Sequence, residues 1–291
     1  MYMLTLLGNG LIILLTLVDS ALHTPMYFFL RNLSFLEICY TSVTLPKMLI
    51  NFVSKVKSIS FAGCAAQMYF LLSLGTVECY LLAAMAYDRY RAICSPLQYP
   101  LIMNQKACTQ IAVASWFCGI LMPLGNVVWI FNLPYCGPNK INHFFCDVPP
   151  VLKLACVDTT KNEISILALS VLITLSPFLL VLVSYICILF TVLKMPSAEG
   201  RRKAFSTCSS HLIVVTLFYG SASAMYLRPK SSHVEDIDRL VALFYSAITP
   251  MLNPMIYSLR NKEVKVALRK LKGRKTLLCE LGKYLCGRRR F

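Results

Sequence analysis

Seven apolar stretches, each close to the length of a bilayer crossing, dominate this chain and leave few folds open to it. A helix needs roughly 20 apolar residues to cross a ~30 Å hydrocarbon core. Stretches of that kind lie at about Tyr2–Val18, Tyr27–Phe52, Ala62–Tyr87, Ala107–Phe131, Ile164–Leu193, Phe205–Leu227 and Leu240–Leu259. Of 291 residues, 57% are hydrophobic and only 14% charged, against about 25% charged in soluble domains. A water-soluble globule could not bury so much apolar side chain, and the same composition excludes disorder. The expected fold class is an all-α membrane protein, a seven-transmembrane helix bundle. No internal repeat or Gly/Ser linker divides it, so one domain is expected over residues 1–260, followed by a basic tail over 261–291.

The charge is one-sided. The 29 Lys and Arg against 13 Asp and Glu leave a net +16. In a soluble protein that balance would suggest a nucleic-acid partner. Here the basic residues lie between apolar spans, which points instead to positive-inside loops and contact with anionic membrane lipid. With the amino terminus outside, 20 of the 29 fall on the cytosolic side, so the expected orientation is N-out, C-in. No basic stretch precedes span one, so it is read as a span and not as a cleavable signal.

Polar groups within apolar spans are costly and mark function. Glu78 lies ten residues before Asp88, about 15 Å up a helix. Glu37 lies ten residues after Tyr27, and Asn9 and Asn253 fall at similar depth. Two neighbouring carboxylates in low dielectric share a proton or a cation, and oxygen donors suit a hard cation. Glu37, Glu78 and Asn253 are therefore a candidate sodium or proton site; the alternative is one protonated Glu with a structural role. At the end of span three, adjacent Asp88 and Arg89 suggest a local ion pair. In span seven, Pro254 frees a backbone carbonyl and permits a kink beside Asn253. No nucleophile–base pair or metal-ligand set falls at one depth, so enzyme chemistry is not expected. A transporter using the Glu pair is disfavoured by the lack of inverted repeats.

Cys64, Cys136, Cys146 and Cys156 face the side opposite the basic loops, where two disulfides are reasonable. Three pairings are open, and spacing does not choose among them. With His143 they also contain zinc ligand types, although not at a usual zinc spacing.

Taken in order, several motifs carry a resemblance. They are Gly8-Asn9, Pro25-Met26-Tyr27-Phe28-Phe29-Leu30, Pro46-Lys47-Met48-Leu49 and Met85-Ala86-Tyr87-Asp88-Arg89-Tyr90. Ser184-Tyr185, Lys203-Ala204-Phe205-Ser206-Thr207-Cys208 and Pro250-Met251-Leu252-Asn253-Pro254-Met255-Ile256-Tyr257 complete the set. Over nearly its whole length the chain resembles the rhodopsin-like G-protein-coupled receptors, and among them the vertebrate odorant receptors of the tetrapod-type class. The resemblance implies a small hydrophobic odorant as ligand and a heterotrimeric G protein of the stimulatory olfactory type that raises cyclic AMP. It implies a plasma-membrane location in sensory cilia and a short amphipathic cytosolic helix after span seven. Asp88, Arg89, Tyr90, Tyr185, Asn253, Pro254 and Tyr257 would be activation switches. The disulfides would be Cys64–Cys146 and Cys136–Cys156.

A ligand pocket is then expected in the outer halves of spans three, five and six. Candidate contacts are Leu71, Leu72, Gly75, Thr76, Ser170, Ile173, Tyr219, Ala222, Ser223 and Tyr226, with Ser170 and Tyr226 as hydrogen-bonding groups. Apart from the candidate sodium ion, no cofactor is expected. Arg91 stands where the family usually has a small apolar residue. The two ends also differ from the family pattern, which leaves an export-deficient receptor as the alternative function.

Overall fold

The computed structural model describes residues 1–226, 240–260 and 263–270, with the side chains of Lys203, Thr207, Met225, Tyr226 and 258–260 outside the described set. The described chain is helical. In order it forms α1 (Tyr2–Val18), α2 (Pro25–Val53), α3 (Phe61–Cys94), α4 (Tyr99–Ile102), α5 (Gln105–Leu121) and α6 (Leu124–Phe131). There follow α7 (Val148–Leu152), α8 (Thr160–Leu193) and α9 (Ala198–Tyr226). The last apolar helix begins at Leu240, passes through a π-helical stretch at Phe244–Ile248 and continues as α10 (Thr249–Arg260). A further helix, α11, covers 263–270.

Among the described residues, five helices are long and apolar enough to cross a membrane: α2, α3, the α5–α6 pair, α8 and Leu240–Tyr257. The chain is thus a multi-pass helical protein built for a bilayer. Tyr2–Val18 is apolar but has 17 residues. Ala198–Tyr226 has 29 residues but is not one of the five.

The helix boundaries follow local chemistry. Pro25 occupies the first turn of α2, where a missing N–H costs nothing. Ser60 caps α3 by accepting from the Gly63 N–H at 3.1 Å, and Asn104 caps α5 by accepting from Ala107 at 2.9 Å. The single fourth span expected over Ala107–Phe131 is broken between Leu121 and Leu124, because Pro123 has no N–H to continue the ladder. Two spans are longer than the apolar pattern indicated. α3 runs through Asp88-Arg89-Tyr90 to Cys94, and α9 begins at Ala198, seven residues before the apolar run.

α3 is the hub, packing on α2, α5, α6, α8 and α9. Of its most apolar window 72% is buried, against 11% for the still more apolar α8. A helix that is hydrophobic all round is either core or lipid-facing; α3 is the first and α8 the second. Two glycines allow close approach. A Cβ on Gly119 of α5 would lie 2.9 Å from the Val77 amide nitrogen and 3.0 Å from the Ser73 carbonyl of α3. One on Gly8 of α1 would lie 3.0 Å from the Pro254 ring.

α11 lays Val264 and Ala267 into the core and leaves Lys265, Arg269 and Lys270 exposed, as an amphipathic helix should. Tyr27 donates to Glu263 at 2.6 Å, and Lys270 pairs with Asp19 at 3.2 Å. These contacts tie α11 to the start of α2 and to the turn between α1 and α2.

Candidate functional site

The loop between α6 and α8 is held over one end of the bundle by two disulfides. Cys64–Cys146 fastens it to α3, and Cys136–Cys156 closes it on itself, with Cα separations of 5.4 and 5.9 Å. Both lie within the ordinary disulfide range. Four cysteines are consumed, so zinc binding through Cys136, Cys146 and Cys156 with His143 is overturned. Among the described residues no group of three His, Cys, Asp or Glu is placed to hold a metal.

Gln67 of α3 reinforces the anchor. It donates to the Val43 carbonyl at 3.0 Å and accepts from the Cys146 N–H at 2.9 Å. The next residue, Asp147, is fully buried; it accepts from Val148 N–H at 2.8 Å and from the Tyr245 hydroxyl at 3.1 Å. That pair joins the loop to the last spanning helix.

Beneath the loop lies a cavity of about 100 Å³ walled by α3, α6, α8, α9 and α7. Leu71, Leu72, Gly75 and Thr76 come from α3, Ser170 and Ile173 from α8, and Ala222 from α9. Among the described residues no ionised group lines it. Two residues singled out from the sequence stand elsewhere. Tyr219 turns back to α3, donating to the Cys79 carbonyl at 3.1 Å, and Ser223 is not part of the wall. The side chain of Tyr226 lies outside the described residues.

The cavity also recruits groups that helical counting in spans three, five and six missed: Tyr40, Asn126, Val148, Phe218 and Tyr245. Pro123 was the available signal for Asn126, since a break in span four turns α6 toward α3 and α8. Nothing local in the sequence announced Val148, which arrives through loop closure. Asn126 accepts from Ser165 at 2.9 Å, so one polar wall group is already engaged.

Deeper in the bundle, Asn253 donates to Glu37. Glu37 and Glu78 are both buried, at 0% and 3% exposure. Glu37 Oε2, Glu78 Oε1 and Asn253 Oδ1 have no hydrogen-bond partner. Asn9, at similar depth, stands apart and donates to the Thr5 and Pro250 carbonyls at 3.0 and 3.4 Å.

At the end opposite the disulfides, the ion pair expected from adjacency does not form. Neighbouring residues on a helix point in different directions, and Asp88 instead accepts from Tyr99 of α4 at 2.8 Å. Burial, followed by the Asp88 carboxylate, pushes the Tyr99 phenol up, so it remains a protonated donor. Tyr185 of α8 and His211 of α9 share a 2.7 Å hydrogen bond, and His211 Nε2 lies 3.1 Å from the Leu82 carbonyl of α3. Tyr257 is buried with its hydroxyl unpartnered. Tyr90 packs beside Ile188, Val192 and Cys208. Arg91 donates to the Tyr87 hydroxyl at 2.9 Å and stands over the rings of Tyr87 and Tyr90 at 5.2 and 5.4 Å.

A membrane-type helical bundle with an uncharged cavity under a disulfide-fastened loop, and buried polar groups linking its helices toward the other end, suits a receptor of small ligands. The olfactory receptor family profile matches residues 1–275. Human olfactory receptor 10A7 is 56% identical over 276 residues, covering 95% of this chain and 87% of that one. Human olfactory receptor 10A2 is 57% identical over 267 residues, covering 92% and 88%. Human olfactory receptor 13C9 is 50% identical over 281 residues, covering 94% and 88%. The chain belongs to the olfactory receptor family.

Proposed function

We propose that this chain binds small, neutral, mainly hydrophobic odorants in the cavity beneath the fastened loop and signals through a stimulatory olfactory-type G protein that raises cyclic AMP. The uncharged wall with its few hydroxyl and amide groups is the observation that carries this reading. A volume of about 100 Å³ is below the ~150 Å³ in which an apolar cavity takes up benzene. Odorant entry must therefore displace wall side chains, of which Tyr40, Phe218 of α9 and Tyr245 of the last helix are the aromatic ones. Displacement of Phe218 and Tyr245 carries ligand occupancy into the two helices that bear His211, Asn253 and Tyr257.

On this reading seven helices cross the membrane, α1 and α9 included, with the disulfide end outside, where disulfides persist. The basic loops and the 261–291 tail then lie in the cytosol, facing anionic lipid. Arg89, Tyr90 and Tyr185 would meet the G protein there, with Asp88, Asn253, Pro254 and Tyr257 as the switch residues behind them. The plasma membrane of sensory cilia is the location this implies.

The residues also fit a sodium ion: three buried oxygens, on Glu37, Glu78 and Asn253, lack partners. Such an ion would supply positive charge between two carboxylates that otherwise repel. Glu37 and Glu78 would hold it, and Asn253 would orient Glu37.

The test is an odorant screen read as cyclic AMP, with Arg89→Ala as the uncoupled control. An epitope at Ser231-Ser232 reports surface topology. Staining of intact cells and an odorant response lost in Arg89→Ala are expected. Staining only after permeabilisation, or a response that survives Arg89→Ala, overturns the assignment.

A further inference from the structure

A second, larger cavity of about 920 Å³ opens at the disulfide end, between the ends of α2 and α3 and the fastened loop. It is chemically unlike the odorant cavity. Among the described residues its ionisable wall groups are Lys47, Lys57, Lys140 and His143, with Tyr135 beside them, and none is a carboxylate. The sequence explains the imbalance: neither the stretch from 38 to 77 nor that from 105 to 146 contains an Asp or Glu. The nearest acid along the loop, Asp147, is turned inward to Tyr245.

One ammonium and the backbone that carries another are fixed. Lys47 is half-buried and donates to the Ser58 carbonyl at 2.5 Å. Lys140 follows a tight turn in which Gly137 takes φ +87°, a conformation natural to glycine, and its N–H donates to the Pro138 carbonyl at 2.7 Å. The Tyr135 hydroxyl is engaged with the Ile130 carbonyl at 2.7 Å and offers no competing charge. The N-terminus of α3, with its partial positive charge, opens on the same space at Ser60 and Phe61.

Between the cations the wall is aromatic. Phe61 stands edge-on to Phe131 at 5.2 Å, and Phe52 meets Phe144 at 6.1 Å. A cleft with charges of one sign focuses field and concentrates the opposite ion, and aromatic walls bury an apolar body. From this juxtaposition in one cavity of three lysines and two aromatic pairs, with no acid among the described residues, we infer that the receptor carries a vestibular site for small amphiphilic organic anions, carboxylates with an apolar body. The site is separate from the odorant cavity, and its wall does not include Ala222, Thr76 or Ser170.

The experiment uses the full chain in nanodiscs of neutral phosphatidylcholine, with empty nanodiscs subtracted. Equilibrium dialysis compares 3-phenylpropanoate with 3-phenyl-1-propanol, which has the same body without the charge. The carboxylate is expected to bind saturably and at least fivefold tighter than the alcohol. Lys47→Gln/Lys140→Gln should weaken it at least fivefold, Lys140→Arg should retain it, and Ala222→Phe, which fills the odorant cavity, should leave it unchanged. Non-saturable uptake, less than fivefold preference over the alcohol, less than fivefold loss in the double lysine variant, or loss in Ala222→Phe overturns the inference. Because the readout is binding alone, failure of G-protein coupling would not register in it.

Discussion

Tyr185 and His211 are joined by a 2.7 Å hydrogen bond across α8 and α9 with their rings stacked at 5.7 Å, and His211 continues the link to the Leu82 carbonyl of α3 at 3.1 Å. A carbonyl only accepts, so Nε2 carries a proton and donates to Leu82. One imidazole thus clasps three helices at the end opposite the disulfides. His211→Phe removes both bonds and should raise agonist-independent cyclic AMP. Tyr185→Phe removes one, worth about 0.5–1.5 kcal/mol or a roughly two- to tenfold population shift. Basal cyclic AMP per surface receptor measures this; a basal level unchanged in both variants would show that the clasp does not hold the resting state.

Sodium dependence is expected on the proposed reading of the buried Glu37 and Glu78. Glu37→Gln and Glu78→Gln each replace a carboxyl oxygen beside the unpartnered oxygens with an amide nitrogen that is no cation ligand. Each should reduce the effect of extracellular sodium on agonist potency, by about tenfold in sodium affinity for a ~1.4 kcal/mol loss. Potency titrated in sodium and in N-methylglucamine buffers, at matched surface level, decides; wild-type sodium response in both variants removes the ion from the account.

Tyr245→Phe tests the tie between loop and odorant cavity. It keeps the ring in the wall but takes away one of the donors to Asp147, at a cost of about 1–3 kcal/mol. Odorant potency should fall about tenfold or more, while surface level falls less. Equal losses in both quantities would make the bond merely structural.

Gly119 and Gly125 make a matched pair. A Cβ at Gly119 meets α3 backbone, whereas one at Gly125 meets nothing within 4 Å. Gly119→Ala should therefore cost about 1–3 kcal/mol through forced separation of α3 and α5, and Gly125→Ala should be neutral. Thermal unfolding in detergent orders the two, and equal midpoints would contradict the packing.

The Cys64–Cys146 bond closes 82 residues of separation and carries the loop that roofs both cavities. Cys146→Ser should cost about 2–5 kcal/mol and most of the surface-stained receptor. Cys156→Ser, on the bond with a separation of only 20, should cost less. Flow cytometry on intact cells compares them.

Much of this was legible in the residue order, because crossing a bilayer is a local requirement. Five of the spans counted in the sequence are, among the described residues, helices long and apolar enough to cross a membrane, while ends were misjudged wherever helix continued past the apolar run. Pro123 shows the limit: its lack of an N–H is visible in sequence, yet the direction in which α6 then turns is a matter of what it packs against. Asp88 shows another. Adjacency to Arg89 suggested an ion pair, and the partner proved to be Tyr99, eleven residues on, because side chains on successive helical positions diverge.

The sequence by itself determined the membrane class, the placing of Glu37, Glu78 and Asn253 within apolar runs, and the family to which the motifs belong, since all of these depend on residue type and order along the chain. Only the tertiary structure decided which of those groups meet. Tyr245 reaches Asp147 across 98 positions, and His211 reaches Leu82 across 129. Likewise, the same kind of apolar helix became core in α3 and lipid-facing in α8. Rotation about the helix axis and the choice of neighbour are set by packing shape, by glycines that let backbones touch and by disulfides that fold a loop inward, and none of these is written in the hydrophobicity of a single span.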